Sequence, residues 1–123
     1  MNFSAPEPQI ETAVTHTEPV AAPSLKQLIK DKAQEIGVDS RVAARIAFCE
    51  STYRQFDSQG RVLRGKANPK DVGVFQINEK FHKDQSESLG FDIYTTEGNV
   101  DYALWLIKNE GSRHWKWSRG CWS

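Results

Sequence analysis

The sequence lacks several features that would place a protein in a specialised class. Its 16 basic and 16 acidic residues give a net charge of zero, so the overall charge gives no reason to expect binding to nucleic acid. No apolar run is long enough to cross a bilayer, so no membrane span is expected. The N-terminus has neither the basic nor the apolar region of a signal peptide, and any export signal is expected to lie outside this chain.

Cysteine is also scarce, since the chain contains only Cys49 and Cys121. Neither cysteine belongs to a CxxC pair or to a histidine-containing zinc spacing, so we expect no metal site. The two are either buried thiols or a single disulfide that ties the C-terminus to the central helix. We expect the disulfide, which would stabilise the fold by roughly 4 kcal/mol. It would also place the protein outside the reducing cytosol.

Proline is nearly confined to one end of the chain. Four of the five prolines fall within residues 1–23, among scattered Thr, Ala and Glu and without a helical or strand period. This composition predicts a disordered leader or linker, in which His16 is solvated. Residues 24–123 are predicted to form one domain, with 16 basic and 13 acidic residues, a mild bias towards anionic partners.

Helical periodicity predicts two helices at the start of this domain. Ser24 and Gln27 fit a capping box that begins the first helix, and Gly37 is placed to end it. Asp39 or Ser40 is expected to cap the second helix.

Two further helices are predicted in the second half. Asn78 can cap a helix over about 79–89 that stops at Gly90, and a longer helix over about 97–110 is expected to stop at Gly111. The apolar stripe of the longer helix comprises Val100, Ala103, Leu104 and Ile107, widened by Tyr102 and Trp105.

Short extended segments are predicted between the second and third helices. Residues 56–63 fit a small hairpin with its turn at 58–60, and residues 68–71 fit a turn. Residues 73–78 are expected to be briefly extended or irregular. The predicted class is therefore α+β, mostly α, with a short β-hairpin between helices.

Glu50 interrupts the apolar stripe of the second helix, because it follows Ile46 by four residues and precedes Tyr53 by three. Burial disfavours the charged form of a carboxyl group, so a buried glutamate stays protonated to higher pH. General-acid catalysis needs such a group. Alternatively, Glu50 extends into water or pairs with Arg45 or Arg54.

Two stretches together resemble the lysozyme superfamily. A Glu-Ser pair stands at residues 50–51, and Asp-Val-Gly-Val-Phe-Gln-Ile-Asn follows at residues 71–78. Soluble lytic transglycosylases carry a Glu-Ser pair before a Gly-Leu-Met-Gln-Ile-like motif, and c-type lysozymes carry Asp-Tyr-Gly-Ile-x-Gln-Ile-Asn. The resemblance covers most of residues 24–123. It implies a lysozyme-like fold and cleavage of the β-1,4 bond between N-acetylmuramic acid and N-acetylglucosamine in peptidoglycan.

The resemblance also implies a set of site residues. Glu50 would protonate the glycosidic oxygen, and Ser51 would support the glutamate and the substrate. Gln76 and Asn78 would offer amides to the acetamido groups of the sugars, and Gly73 would let the backbone approach a sugar ring.

Asn99 and Tyr102 complete the substrate-binding residues expected from this resemblance. Asn99 resembles the asparagine that starts the penultimate transglycosylase helix, although the later Ala-Tyr-Asn motif of that family is not present.

The two branches of the superfamily imply different roles for Asp71. It aligns with the c-type lysozyme aspartate and could be the second carboxylate of a retaining hydrolase, or it could only cap the turn after Pro69. A lytic transglycosylase would instead use the substrate's own acetamide and form 1,6-anhydromuramyl ends. The single pair of cysteines and the neutral charge favour the transglycosylase. A hydrolytic muramidase and a non-catalytic glycan-binding or envelope-assembly module are the alternatives.

The aromatic C-terminal tail, residues 114–122, has two interpretations. Its tryptophans could stack on sugar faces or pack over the core, and packing is the more common use. His114 is expected to be a surface histidine. Together, the sequence features and the resemblance predict a monomer outside the cytoplasm that binds peptidoglycan glycan strands and uses no cofactor.

Overall fold

The computed structural model describes residues 22–123, so the leader predicted for residues 1–23, with His16, lies almost entirely outside the described residues. In the described part the fold is mostly helical with one small two-stranded antiparallel sheet. This confirms the predicted class, α+β and mostly α. None of the helices in residues 22–123 is both long enough and apolar enough to cross a membrane.

Helices α1, Leu25–Ile36, and α2, Ser40–Ser51, begin and end much as predicted. The Ser24 hydroxyl accepts a hydrogen bond from the backbone N–H of Gln27, but the Gln27 side chain donates to Asp31. Only half of the predicted capping box is therefore formed. The N-cap of α2 is Asp39, whose carboxylate accepts hydrogen bonds from the first backbone N–H groups of the helix.

The sheet lies later in the chain than predicted. Strand β1, Asp71–Val72, pairs with β2, Ile77–Asn78, with Asp71 opposite Asn78. Residues 56–63, the predicted hairpin, contain only an isolated bridge between Phe56 and Val62. Residues 56–63 thus form a bridged turn of the predicted kind, closed by a hydrogen bond from the Asp57 N–H to the Arg61 carbonyl, whereas the two-stranded sheet spans residues 71–78.

The second half of the domain contains three more α-helices and a 3₁₀ helix. Helix α3, Glu79–Ser88, is capped by Asn78 as predicted, and α4 covers Thr96–Glu110. The 3₁₀ helix, Arg113–Ser118, leads into the short α5, Arg119–Trp122.

Helix α4 is central to the hydrophobic core. Its buried apolar side chains contact those of α1, α2 and the segment around the sheet. The fully or nearly fully buried members from α4 are Val100, Tyr102, Ala103, Leu104 and Leu106. Ile107, predicted in the buried stripe, is only partly buried, whereas Leu106, which was not predicted there, is fully buried.

A disulfide between Cys49 and Cys121 joins α2 to α5, with the two Cα atoms 6.1 Å apart. The predicted disulfide is therefore confirmed. It fixes the C-terminal helix beside the end of α2, where Glu50 lies.

Candidate active site

Glu50 lies in the last turn of α2, is half-buried, and lines a cleft of about 380 Å³. Its Oε2 atom accepts a hydrogen bond of 2.6 Å from the hydroxyl of Ser118. Among the described residues Glu50 forms no ion pair, and Arg54 donates to the Ser51 carbonyl instead. The alternative in which Glu50 pairs with Arg45 or Arg54 is therefore wrong.

The surroundings of Glu50 raise its pKa above the ordinary value of 4.5. Burial is the largest cause, because it disfavours the charged form. The negative charge of Asp71 raises the pKa further, whereas the hydrogen bond from Ser118 lowers it. Glu50 therefore keeps its proton to higher pH than an exposed glutamate, as a general acid must.

Asp71 lines the same cleft from strand β1 and is partly buried. Its Oδ1 atom accepts a hydrogen bond of 3.0 Å from the side-chain amide of Asn78. Burial raises the pKa of Asp71, and the bond from Asn78 opposes that rise. The two carboxyl groups thus share one cleft, and the charge of Asp71 raises the pKa of Glu50.

Gly73 begins the turn between β1 and β2 with a φ of +76°, in the left-handed region that glycine tolerates. A Cβ atom at this position would lie 2.4 Å from Nδ2 of Asn99 and 2.5 Å from Oε1 of Gln55. Gly73 is itself buried. The prediction that it lets the backbone approach a sugar is therefore corrected: glycine is needed here to make room for two protein amides.

Two buried amide side chains hold this turn. Asn99, with an exposure of 0%, accepts from the backbone N–H of Phe75 and donates to the carbonyls of Val72 and Ile93. Gln55 accepts from the N–H of Val74 and also donates to the Ile93 carbonyl. Asn99 was predicted to bind substrate, but it has no exposed atom and acts inside the protein.

Ser51 and Tyr102 are likewise unable to contact a ligand in the cleft. Ser51 is buried, and its hydroxyl donates to the Ala47 carbonyl and accepts from the Arg54 N–H. Tyr102 is fully buried, and its hydroxyl is hydrogen-bonded to His82 and Gln85. Both predicted substrate contacts are corrected to structural roles.

Gln76 and Asn78 line the cleft beside the two carboxyl groups. Gln76 has a φ of +51°, an uncommon conformation for a residue with a side chain, and its amide donates to the Gly73 carbonyl. Their contact with substrate stays a prediction. Of the substrate-binding residues expected from the sequence, these are the two that the structure brings together with Glu50.

The C-terminal segment, which we define as residues 113–122, supplies another part of the cleft lining. His114 was predicted to be a surface histidine, but it is half-buried and lines the cleft. Its Nε2 atom lies 2.7 Å from a carboxylate oxygen of Glu110, and its ring centroid is 5.0 Å from that of His82. Burial and the nearby His114 lower the pKa of His82, and the hydrogen bond to His114 lowers that of Glu110.

The tryptophans of this segment divide between the two predicted uses. Trp115 and Trp122 are buried and pack against the core. Trp117 is 91% exposed and lines the cleft, as does Phe81, which is 73% exposed. A lysine ammonium lies over each of these two rings, Lys116 over Trp117 and Lys80 over Phe81. Both interpretations of the tail therefore apply, to different residues.

Sequence reasoning missed Ser118, Gln55 and Phe81. Ser118 contacts Glu50 across 68 positions of the chain, and Gln55 reaches residues 74 and 93. No short-range pattern encodes either contact. Phe81 had a detectable signal, because it stands one turn after the Asn78 cap, on a helix whose mean hydropathy is low.

No protein-family model, curated protein or solved structure matches the chain. Within residues 22–123, no group of three or more His, Cys, Asp or Glu side chains could hold a metal ion.

Proposed function

We propose that the chain is a lysozyme-like enzyme that cleaves the β-1,4 bond between N-acetylmuramic acid and N-acetylglucosamine in peptidoglycan. The observation that carries this proposal is a half-buried Glu50, with a raised pKa, facing a cleft that also contains Asp71, Gln76 and Asn78. The resemblance of residues 50–51 and 71–78 to lysozyme-superfamily motifs supports it independently.

The proposed chemistry begins with proton transfer from Glu50 to the glycosidic oxygen. The bond from C1 of the muramyl sugar to that oxygen breaks, and the leaving sugar takes the bonding electron pair and the proton. The acetamide of the muramyl sugar stabilises the developing positive charge at C1. The carboxylate of Glu50 then removes the proton of the 6-hydroxyl, whose oxygen attacks C1 and forms the 1,6-anhydro ring without water.

Lytic transglycosylase chemistry is favoured over hydrolysis because it needs only one carboxyl group, that of Glu50. Burial raises the pKa of Asp71, and Asn78 occupies one of its oxygens. Burial thus makes Asp71 less suited to act as a permanently ionised nucleophile, although the hydrogen bond from Asn78 opposes this effect. The presence of Asp71 in the same cleft favours a second candidate, a hydrolytic muramidase that uses both carboxyl groups.

The remaining lining suits a sugar chain. The exposed rings of Trp117 and Phe81 offer apolar faces to pyranose rings, and the amides of Gln76 and Asn78 can bond acetamido groups. The partner is therefore a peptidoglycan glycan strand, and no step of this chemistry requires a cofactor. The disulfide fits a location outside the cytoplasm.

Mass spectrometry of the muropeptides released from purified peptidoglycan tests the proposal. The wild-type chain is expected to release 1,6-anhydromuramyl products, and Glu50→Gln should reduce release by about 10²- to 10⁴-fold. Glu35→Gln, which changes an exposed glutamate of α1, is the matched control. Reducing muramyl ends, lost in Asp71→Asn, would identify the hydrolase. Glycan binding without any product would instead support a non-catalytic module.

A further inference from the structure

Ser118, at the end of the 3₁₀ helix, has one hydroxyl hydrogen and two acceptors within reach. The acceptors are Oε2 of Glu50 at 2.6 Å and the backbone carbonyl of Trp115 at 3.1 Å. Because a hydroxyl donates one hydrogen, it bonds fully to only one of them at a time. The shorter distance favours Glu50.

The Trp115 carbonyl does not depend on Ser118 for a donor. The indole N–H of Trp122 donates to the same oxygen, also at 3.1 Å. Because a carbonyl oxygen that keeps one donor is satisfied, the Ser118 hydrogen can turn to Glu50 without leaving a buried acceptor unpaired. The arrangement therefore leaves the Ser118 hydroxyl available to the carboxyl group.

We propose that Ser118 is a positioning residue that holds Oε2 of Glu50 and leaves Oε1 as the oxygen that exchanges its proton with the substrate. Among the described residues, the hydrogen bond from Ser118 is the one made by the Glu50 carboxyl group, and it goes to Oε2. Oε1 is left for a ligand in the cleft that Glu50 lines. This inference rests on the proposed function.

The bond from Ser118 would strengthen during the reaction. While Glu50 is neutral, its proton sits on Oε1 and Ser118 donates to Oε2, a carbonyl-type oxygen. When Oε1 gives its proton to the glycosidic oxygen, negative charge appears on the carboxylate, and hydrogen bonds to ionised groups are roughly twice as strong as neutral ones. An interaction that grows towards the transition state accelerates the reaction.

The Cys49–Cys121 disulfide joins the same two segments of the chain as the hydrogen bond between Ser118 and Glu50. Cys49 directly precedes Glu50, Cys121 follows Ser118 by three residues, and the two cysteines are joined. The buried Trp115 anchors the segment further, because its indole N–H donates to the Phe75 carbonyl at 2.8 Å. The disulfide and the indole together fix the position from which Ser118 reaches Glu50.

The test compares Ser118→Ala with Ser118→Thr, which keeps a hydroxyl, and with Ser123→Ala, which removes a hydroxyl that bonds only the Arg119 carbonyl. For Ser118→Ala we expect kcat on peptidoglycan to fall about 10- to 100-fold with little change in KM. The basic limb of the pH profile should move to higher pH, because the pKa of Glu50 rises without its donor. Ser118→Thr should restore both properties, and Ser123→Ala should match the wild type.

A ¹³C NMR titration of the Glu50 carboxyl group in the same variants needs no activity. The Glu50 titration should move to higher pH in Ser118→Ala. In Trp122→Phe the titration should also move to higher pH, but by a smaller amount. In that variant the Trp115 carbonyl loses the donor supplied by Trp122, so the Ser118 hydroxyl is expected to donate more often to this carbonyl and less often to Glu50.

An unchanged titration in both variants would overturn the proposal, as would an unchanged kcat and pH profile in a folded Ser118→Ala. If Ser118→Ala fails to fold, the Glu50 titration in Trp122→Phe tests the proposal in its place. A wild-type chain that releases no muropeptides would contradict the proposed function, while the titration would still report whether Ser118 holds Glu50.

Discussion

The cleft around Glu50 has two walls, the turn between β1 and β2, residues 73–76, and the C-terminal segment, residues 113–122, and the two are fixed by different means. The turn is held from inside by the buried amides of Asn99 and Gln55, which bond its backbone directly. The C-terminal segment is held by the disulfide to α2 and by two indole N–H groups. One wall therefore depends on buried polar groups, and the other depends on a covalent bond.

The two walls also act on Glu50 with opposite sign. Asp71, beside the turn, raises the pKa of Glu50 through its charge, and Ser118, in the C-terminal segment, lowers it through a hydrogen bond. Burial is the largest cause of the raised pKa, and the two walls, which the hydrogen bond from Trp115 to Phe75 joins, modify it in opposite directions. A change that displaces Asp71 should lower the pKa of Glu50, and a change that displaces Ser118 should raise it.

The largest effect on the free energy of unfolding is expected when the Cys49–Cys121 disulfide is removed. Replacing both Cys49 and Cys121 by Ser should lower the free energy of unfolding by roughly 4 kcal/mol, because the bond closes a loop with a sequence separation of 72 residues. Urea unfolding followed by circular dichroism measures this loss. The wild type in reducing buffer should match the double variant, and a reductant should leave the double variant unchanged. Equal unfolding midpoints with and without the disulfide would contradict the prediction.

Asn99→Ala tests the other wall. It should lower the free energy of unfolding by about 3 kcal/mol, because the Phe75 N–H and the Val72 carbonyl lose a buried partner, whereas the Ile93 carbonyl keeps Gln55. Asn109→Ala, an exposed asparagine on the same helix, is the control and should have little effect. The added effect of a reductant should differ between Asn99→Ala and the wild type, because Phe75 bonds both Asn99 and the Trp115 indole. Equal effects would show that this shared residue does not couple the two walls.

Trp117→Ala should affect binding and not stability, because its side chain is almost fully exposed. Loss of ring stacking should weaken glycan-fragment binding by about fivefold, which corresponds to about 1 kcal/mol. Isothermal titration calorimetry in a Glu50→Gln background, where turnover is blocked, measures the affinity. Phe56→Ala removes a half-exposed aromatic that does not line the cleft and should bind as the parent does. Equal affinities would remove Trp117 from the site.

Local signals in the sequence predicted the elements that depend on neighbours in the chain. The caps Ser24, Asp39 and Asn78 act within three residues. The apolar stripe that marked Glu50 begins in α2 at Ile46, although Tyr53 lies just beyond the end of the helix. The resemblance of residues 71–78 to a lysozyme-superfamily motif predicted Gln76 and Asn78 as site residues, and both line the cleft. These features need no knowledge of the rest of the fold.

Contacts between distant segments could not be predicted in the same way. Asn99 stands in a motif position that suggested substrate binding, yet it bonds backbone groups as far away as residue 72. Ser118 lies among polar and aromatic residues with no period, and only the packing of the C-terminal segment brings it to Glu50. A motif indicates that a residue matters, whereas burial decides whether it contacts the ligand or supports the residues that do.

The smallest expected effect concerns stability and pH. The folded-state pKa of Glu50 is raised, so folding favours its protonated form. As pH increases above 4.5, the unfolded chain releases this proton before the folded chain does, and the stability contributed by Glu50 falls until the folded pKa is passed. At neutral pH the Glu50 carboxyl group therefore contributes less stability than at pH 4, whereas a glutamine at this position has no such dependence on pH.

Glu50→Gln should therefore raise Tm by a few degrees at pH 7 and leave it nearly unchanged at pH 4, where the wild-type carboxyl is largely neutral. Thermal unfolding at the two pH values measures the difference, with Glu35→Gln as the exposed control. A Tm lowered equally at both pH values would mean that Glu50 serves the fold through its hydrogen bond to Ser118. The expected pattern would mean that the chain accepts a less stable fold at neutral pH in order to keep an acid in the cleft.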